Sequence, residues 1–244
     1  MGSALIHNLN FEQLLFVIVT GTLPSLLWLS FWLRRDRNHP EPKGLLFFCF
    51  LLGAAGVIFA GPLEGFFKQF AGTDTQRITI WAAIEEVLKF LPVYLIALRT
   101  SYNDEPIDPA IYMITAALGF AALENVFYVL QPLSTTTITA TLLTGSLRFF
   151  GSTLLHSIAS CFVGIAIGLS PRGTKGIGAV LGLAGATFLH STFNFFILKN
   201  TTASFLQVYG YLWVSAIICF LIMEKLRRIP FTATPSVSIS PSIQ

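Results

Sequence analysis

Long apolar stretches, separated by short polar connections, recur along the whole chain. A helix needs about 20 apolar residues to cross a hydrocarbon layer roughly 30 Å thick. Seven stretches come close to this length: Phe11 to Leu33, Leu45 to Pro62, Arg77 to Leu98, Ala110 to Leu130, one within Ile138 to Leu169, Gly176 to Leu198 and Ala203 to Met223. The pattern predicts an all-α bundle of about seven transmembrane helices, numbered here as segments one to seven.

The composition supports a membrane-embedded chain. Of the 244 residues, 54% are hydrophobic and 11% are charged, whereas soluble domains carry roughly 25% charged residues. So few charges would not cover a water-facing surface, which excludes a soluble enzyme and also a disordered chain. We expect a single multi-pass bundle over residues 1–228, in contact with the lipid bilayer and with no nucleic-acid partner. Residues 229–244 are rich in Ser, Thr and Pro and are predicted to form a disordered tail.

The basic residues predict the orientation of this bundle. Connections on one side carry ten Lys and Arg residues, and those on the other side carry only Lys68, Arg77 and Lys199. Because the Lys- and Arg-rich connections stay in the cytoplasm, the N-terminus should face outwards and the C-terminal tail inwards. No basic residue precedes segment one, and its apolar stretch is too long for a signal peptide, so it should remain as a membrane anchor.

Ionisable residues are concentrated inside four consecutive segments, three to six. A charge at bilayer depth costs at least about 2.5 kcal/mol, so this concentration indicates one shared site. In segment three, Glu85 and Lys89 are four residues apart and can form an ion pair, while Glu86 points about 100° further round the helix. The whole set is Glu85, Glu86, Lys89, Glu124, Arg148, His156 and His190.

These residue types can hydrolyse an amide in a dry site. Glutamate can take a proton from water, histidine can give one to a leaving amine, and Asn or Arg can stabilise an oxyanion. The same carboxylate and imidazole atoms can also bind a metal. Two other interpretations stay open. Buried Glu, Lys and His also serve as relays in a proton-coupled transporter or channel, and a non-catalytic membrane scaffold can retain a polar core.

Three known plans for hydrolysis inside a membrane do not fit the sequence. The His-Glu-x-x-His pair of a site-2-type metalloprotease is absent. So is the Gly-x-Ser-x-Gly pattern, which argues against a rhomboid-like serine site. No segment has an aspartate in its interior, which excludes a presenilin-like pair of aspartates.

Four motifs on successive segments resemble those of the PrsW family of intramembrane proteases, which is related to the CAAX-prenyl and bacterial immunity-type membrane proteases. The motifs are Glu-Glu-x-x-Lys, Phe-x-x-x-Glu-Asn, a histidine with an upstream arginine, and His-x-x-x-Asn. They lie between Trp81 and Phe195, and the matching residues are Glu85, Glu86, Lys89, Phe120, Glu124, Asn125, Arg148, His156, His190 and Asn194.

The chain departs from the CAAX-prenyl branch in two places. That branch has an arginine one position after the place of Lys89, and a histidine where this chain has Glu124. A prenylated peptide is therefore not expected as the substrate. The resemblance instead implies site-1-type cleavage of a single-pass membrane protein, such as an anti-sigma factor, by a multi-pass protein of a bacterial plasma membrane.

The expected roles follow from this resemblance and from the chemistry of the side chains. Glu85 or Glu86 should act as general base on water, and His156 and His190 should position that water or protonate the leaving amine. Glu124 should orient the site. The supporting residues are Lys89, Asn125, Arg148 and Asn194. Metal dependence stays open: His156, His190 and Glu124 are the candidate ligands of a catalytic zinc, and the alternative is activation of water by Glu and His alone.

Overall fold

The computed structural model describes residues 10–34, 39–135, 151–199 and 202–228. This part of the chain is helical and contains no β-strand, so the all-α prediction is confirmed. The helices are α1 (Phe11–Leu33), α2 (Lys43–Phe67), α3 (Asp74–Ile96), α4 (Asp108–Thr135), α5 (Ser152–Leu169), α6 (Lys175–Lys199) and α7 (Thr202–Leu226). A 3₁₀ turn over Lys68–Phe70 extends α2.

Side-chain caps fix the starts of two helices. Asn10 accepts a hydrogen bond from the backbone N–H of Gln13, whose side chain accepts one in return from the backbone N–H of Asn10. Thr73 and Gln76 form the same reciprocal cap before α3. Such caps satisfy N–H groups that the first turn of a helix leaves unpaired. The cap at Thr73 therefore fixes the start of the helix that carries three of the predicted site residues.

The two central helices of the bundle are α4 and α5. In each of them 72% of the membrane-length stretch is buried, whereas the value is 22% to 28% in α1, α2, α6 and α7. One core cluster joins α4 and α5 to α1 and α7, and a second joins them to α2, α3 and α6. The outer helices expose many large apolar side chains, and such surfaces suit contact with lipid.

Glycine allows α2 to pack closely on α4. A Cβ added at Gly53 would collide with the backbone carbonyl of Ala116, and one added at Gly119 would collide with that of Phe50. Only small residues permit this approach of two helix backbones. The contact places α2 beside the helix that carries Glu124.

Six of the described helices are long and apolar enough to cross a membrane. The other long helix, α3, corresponds to predicted segment three. Its ionisable residues lower its mean hydropathy: Asp74, Arg77, Glu85, Glu86 and Lys89. This polar helix packs between α2 and α6 and against α4. Glu85, Glu86 and Lys89 lie inside the protein, whereas Asp74 and Arg77, at the start of the helix, are partly or largely exposed. The chain is a multi-pass membrane protein.

Helix α2 continues past the predicted end of segment two. The sequence pattern ends this segment at Pro62, but Pro62 lies inside a helix that runs to Phe67. A proline removes one backbone hydrogen bond, and a membrane helix tolerates this loss. The correction adds Glu64 to the helix. The predicted tail of residues 229–244 and the predicted start of segment five lie outside the described residues.

Candidate active site

Six predicted site residues from four helices meet in one buried cluster. Helix α3 contributes three neighbouring side chains, and α4, α5 and α6 contribute one each. Glu85 and Glu124 keep 12% and 18% of their side chains exposed, and the other four are buried. The cluster consists of Glu85, Glu86, Lys89, Glu124, His156 and His190.

The Lys89 ammonium lies at the centre of this cluster. Its Nζ is 2.7 Å from Oε1 of Glu86 and 2.7 Å from Nδ1 of His156. It is 3.6 Å from Oε2 of Glu85 and 4.7 Å from the centre of the Phe120 ring, a distance suited to a cation–π contact. The sequence predicted a pair between Lys89 and Glu85, but Glu86 is the closer partner. Both spacings, three and four residues, bring side chains together on a helix.

Glu86 is held by contacts to three helices. Its Oε1 accepts hydrogen bonds from Lys89 and, over 2.8 Å, from Nδ1 of His190. On α5, Ser160 Oγ donates to Oε2 over 3.4 Å. The side chain is fully buried. These partners compensate the burial of a carboxylate and leave it little freedom to move.

The hydrogen bonds assign the tautomers of both histidines. An ammonium only donates, so Nδ1 of His156 accepts from Lys89 and its Nε2–H donates to Oε2 of Glu124 over 3.0 Å. His190 donates its Nδ1–H to Glu86, and its Nε2 lies 3.8 Å from Oε2 of Glu85. The two rings meet edge to face, 5.1 Å apart.

Oε2 of Glu85 and Nε2 of His190 lie near each other in the cluster. Oε2 of Glu85 is buried without a hydrogen-bond partner, and it lies 3.8 Å from Nε2 of His190. Leaving a buried acceptor unsatisfied costs about 1–3 kcal/mol. A group that satisfies Oε2 must donate a hydrogen bond or carry positive charge. Water and a divalent cation both meet this requirement.

The cluster also fits a catalytic metal. Glu85, His156 and His190 each offer one ligand atom, and these atoms lie within 4.8 Å of one another. Three protein ligands of this kind suit a catalytic zinc. The sequence predicted Glu124 as the carboxylate ligand, but Glu85 joins this group and Glu124 instead accepts a hydrogen bond from His156. Carboxylates commonly support metal-binding histidines in this way.

The other supporting residues have different surroundings. Nδ2 of Asn125 donates to Oγ1 of Thr153 over 2.8 Å and links α4 to α5. Asn194 is half-buried on α6, one turn after His190, and its side chain forms no hydrogen bond within the described ranges. Arg148 lies outside the described residues.

Sequence reasoning missed one acidic residue near the cluster. Glu64 of α2 interacts electrostatically with Glu85, Lys89, Glu124 and His190. The sequence did contain a signal for it. The buried residues of α2 have helical spacing, and position 64 continues that spacing beyond Ala60. Ending segment two at Pro62 hid this continuation.

Comparison with known proteins gives matches over most of the site. Residues 41–223 match the family model described as PrsW family intramembrane metalloprotease. Protease PrsW of Geobacillus kaustophilus (strain HTA426) is 30% identical over 122 residues, which are 47% of this chain and 52% of that protein. Protease PrsW of Bacillus subtilis (strain 168) is 27% identical over 123 residues, 47% of this chain and 54% of that protein.

A third relative shows similar coverage. Protease PrsW of Clostridioides difficile (strain 630) is 29% identical over 120 residues, 46% of this chain and 50% of that protein. The chain thus spans about half the length of the curated relatives it matches. No solved structure matches it.

Proposed function

This chain belongs to the PrsW family of intramembrane metalloproteases, and we propose that it hydrolyses a peptide bond of a membrane-anchored protein. One observation carries the proposal. Two adjacent glutamates of α3 converge with histidines of α5 and α6, and one carboxylate oxygen among them, Oε2 of Glu85, has no hydrogen-bond partner. These are a base, an acid and a place for water within one buried site.

Glu85 is the better candidate for the general base. Its Oε2 has no hydrogen-bond partner and its side chain is partly exposed, so it can accept a proton from an entering water. Glu86 is fully buried, and its oxygens already accept from Lys89, Ser160 and His190. We therefore assign Glu86 as a positioning residue, which holds the Lys89 ammonium and the His190 ring.

The reaction balances with these groups alone. Glu85 takes a proton from water, and the resulting hydroxide attacks the scissile carbonyl carbon. The tetrahedral intermediate collapses as the C–N bond breaks, and the proton passes to the leaving nitrogen from Glu85 or through Nε2 of His190. The products are a carboxylate and an amine. General acid–base steps of this kind contribute about 10²–10⁴ in rate.

Negative charge on the intermediate needs stabilisation. Lys89 provides a buried positive charge inside the cluster, and such fixed charges act strongly in a site that excludes water. Asn194 is one helical turn from His190 on the same face, and its amide has no hydrogen bond within the described ranges. We assign the oxyanion donor to Asn194 rather than Asn125, which donates to Thr153.

A divalent metal is compatible with the same residues. Glu85, His156 and His190 are the side chains that would hold it. When bound, it would lower the pKa of a water ligand and polarise the scissile carbonyl. Because both nitrogens of His156 have partners, this ring would have to exchange Lys89 or Glu124 for the metal.

The setting of the site and the family support a proposal for the substrate class. The cluster lies among helices whose outer faces expose apolar side chains, so its substrate reaches it from the bilayer. A helical substrate has its carbonyls hydrogen-bonded and must unwind locally before attack. We propose a single-pass membrane protein, with an anti-sigma factor as the example that the resemblance suggests.

Reconstitution tests the proposal. Purified protein in proteoliposomes should cleave a tagged single-pass protein, and Glu85→Gln and His190→Ala should each lower the rate at least about 100-fold. Glu12→Gln removes an exposed carboxylate of α1 and is the matched control, with wild-type turnover expected. Near-normal cleavage by both site variants would overturn the proposal.

A further inference from the structure

Glu64 faces the bundle interior near the end of α2. The buried residues of this helix are Cys49, Gly53, Gly56 and Ala60, at successive spacings of four, three and four. Glu64 follows four residues later on the same helical face. It is half-buried, whereas residues 61–63 and 65–67 on either side are exposed. Its side chain is therefore turned towards α3 and α4.

The packing of α2 on α3 sets the level of Glu64 relative to the site. A Cβ placed on Gly56 lies 3.6 Å from Cβ of Leu88, so these positions share a level on two consecutive, antiparallel helices. Glu64 is eight residues beyond Gly56, or about 12 Å. Glu85 is three residues from Leu88 in the same direction, or about 4.5 Å. Glu64 thus lies about 8 Å beyond Glu85, towards the end of the bundle where α2 finishes.

The charges around Glu64 do not balance. Four carboxylates, those of Glu64, Glu85, Glu86 and Glu124, belong to this region, and they interact with the ammonium of Lys89. That ammonium contacts Glu86 and His156. Within the described ranges Glu64 itself forms no hydrogen bond and no ion pair. Neighbouring carboxylates disfavour the ionised form of Glu64, and a positive charge bound beside it would favour that form.

The position of Glu64 indicates where that positive charge comes from. An extended substrate advances about 3.3–3.6 Å per residue, so 8 Å from Glu85 corresponds to two or three residues from the scissile bond. Glu64 is not in the group of converging metal ligands, which consists of Glu85, His156 and His190. A long cationic side chain of the substrate reaches it more readily than an ion that needs several ligands.

We propose that Glu64 determines specificity by binding a Lys or Arg side chain of the substrate, two or three residues from the scissile bond on the side where α2 ends. This inference rests on the proposed protease function. It adds α2 to the helices that contact substrate, and it predicts that substrates with a basic residue at this position are preferred over those with a neutral or acidic one.

The test compares three membrane-spanning peptides that carry Lys, Gln or Glu at the position two or three residues from the scissile bond. For the Lys peptide, Glu64→Gln should lower kcat/KM about tenfold, the effect expected for one hydrogen bond to a charged group, mainly through KM. Glu64→Lys should reverse the preference in favour of the Glu peptide. Glu12→Gln, the control on α1, should keep the wild-type order. Equal kcat/KM of the wild type for all three peptides would overturn the inference and leave the protease function intact.

Two further measurements separate the possible failures. Crosslinking of the three peptides to the inactive Glu85→Gln variant reports binding without turnover. Preference for the Lys peptide there supports the inference even if no cleavage is found, and lack of preference overturns it. The crosslinking comparison is also repeated after chelation. A preference for the Lys peptide that appears only after chelation would show that an inorganic cation, and not the substrate side chain, lies at Glu64 in the untreated protein.

Discussion

Nδ1 of His190 lies 2.8 Å from Oε1 of Glu86, the same oxygen that accepts a hydrogen bond from Lys89 over 2.7 Å. One carboxylate oxygen thus binds both the His190 ring on α6 and the Lys89 ammonium on α3. The orientation of Nε2 of His190 towards Glu85 depends on this double contact. The two adjacent glutamates therefore have different surroundings, and we expect their substitutions to behave differently.

Glu85→Gln and Glu86→Gln should both lose activity, but only one should lose stability. Oε2 of Glu85 has no hydrogen-bond partner, so an amide there changes few contacts. Glu86→Gln leaves the buried Lys89 without its closest carboxylate, and breaking a buried pair costs about 3–5 kcal/mol. Thermal unfolding in detergent should show a lower Tm for Glu86→Gln alone. Equal Tm values would contradict the separate roles.

Lys89→Met should raise the affinity of the site for a divalent metal. The ammonium lies 2.7 Å from Nδ1 of His156 and 3.6 Å from Oε2 of Glu85, and both residues belong to the candidate ligand group. Removing the ammonium frees Nδ1 of His156 to bind metal and eliminates a positive charge that repels a cation. Metal content after equilibrium dialysis against zinc measures the effect, with Lys89→Met/His190→Ala as the control. An unchanged affinity in folded Lys89→Met would show that Lys89 does not compete with metal.

Gly53→Ala should destabilise the bundle, and Gly61→Ala should not. A Cβ at Gly53 collides with the backbone of Ala116, whereas nothing lies within 4 Å of a Cβ at Gly61 on the same helix. Overpacking typically costs about 1–3 kcal/mol. Denaturation in mixed micelles compares the two variants. Equal stability would mean that α2 and α4 do not approach as closely as described.

Reporter fusions test the orientation predicted from the basic residues. A fusion at Gly72, between α2 and α3, should report the outside. Fusions at Lys175 and Arg228 should report the cytoplasm, because basic connections are retained there. A cytoplasmic signal from Gly72 would mean that the bundle has the opposite orientation and that the site lies in the other half of the membrane.

Much of the fold could be read from the sequence, because hydrocarbon thickness sets the length of each segment. The cost of burying a charge likewise allowed five site residues to be predicted: Glu85, Glu86, Glu124, His156 and His190. Their pairing could not be predicted. Lys89 can reach residues three or four positions away on its own helix, and contacts between helices decided in favour of Glu86.

The place of Glu64 was missed although the spacing along α2 contains a signal for it. Proline is disfavoured in the interior of a helix in water, so Pro62 was interpreted as the end of segment two. The candidate metal-ligand group contains Glu85 in place of the expected Glu124. Spacing along α4 does not show that Glu124 meets the Nε2–H of His156, or that Oε2 of Glu85 lies 3.8 Å from Nε2 of His190.

Mass spectrometry of the fragments of a tagged single-pass substrate, cleaved in proteoliposomes in ¹⁸O-labelled water, tests the central claim most directly. Glu85 lies eight residues after Arg77, or about 12 Å from the predicted outer end of α3. We expect one cut within the membrane-spanning helix near its outer boundary, with ¹⁸O in the new carboxylate. Glu85→Gln should give neither the cut nor the label. Cleavage in the cytoplasmic third of that helix, or the same labelled fragments from Glu85→Gln, would contradict the account.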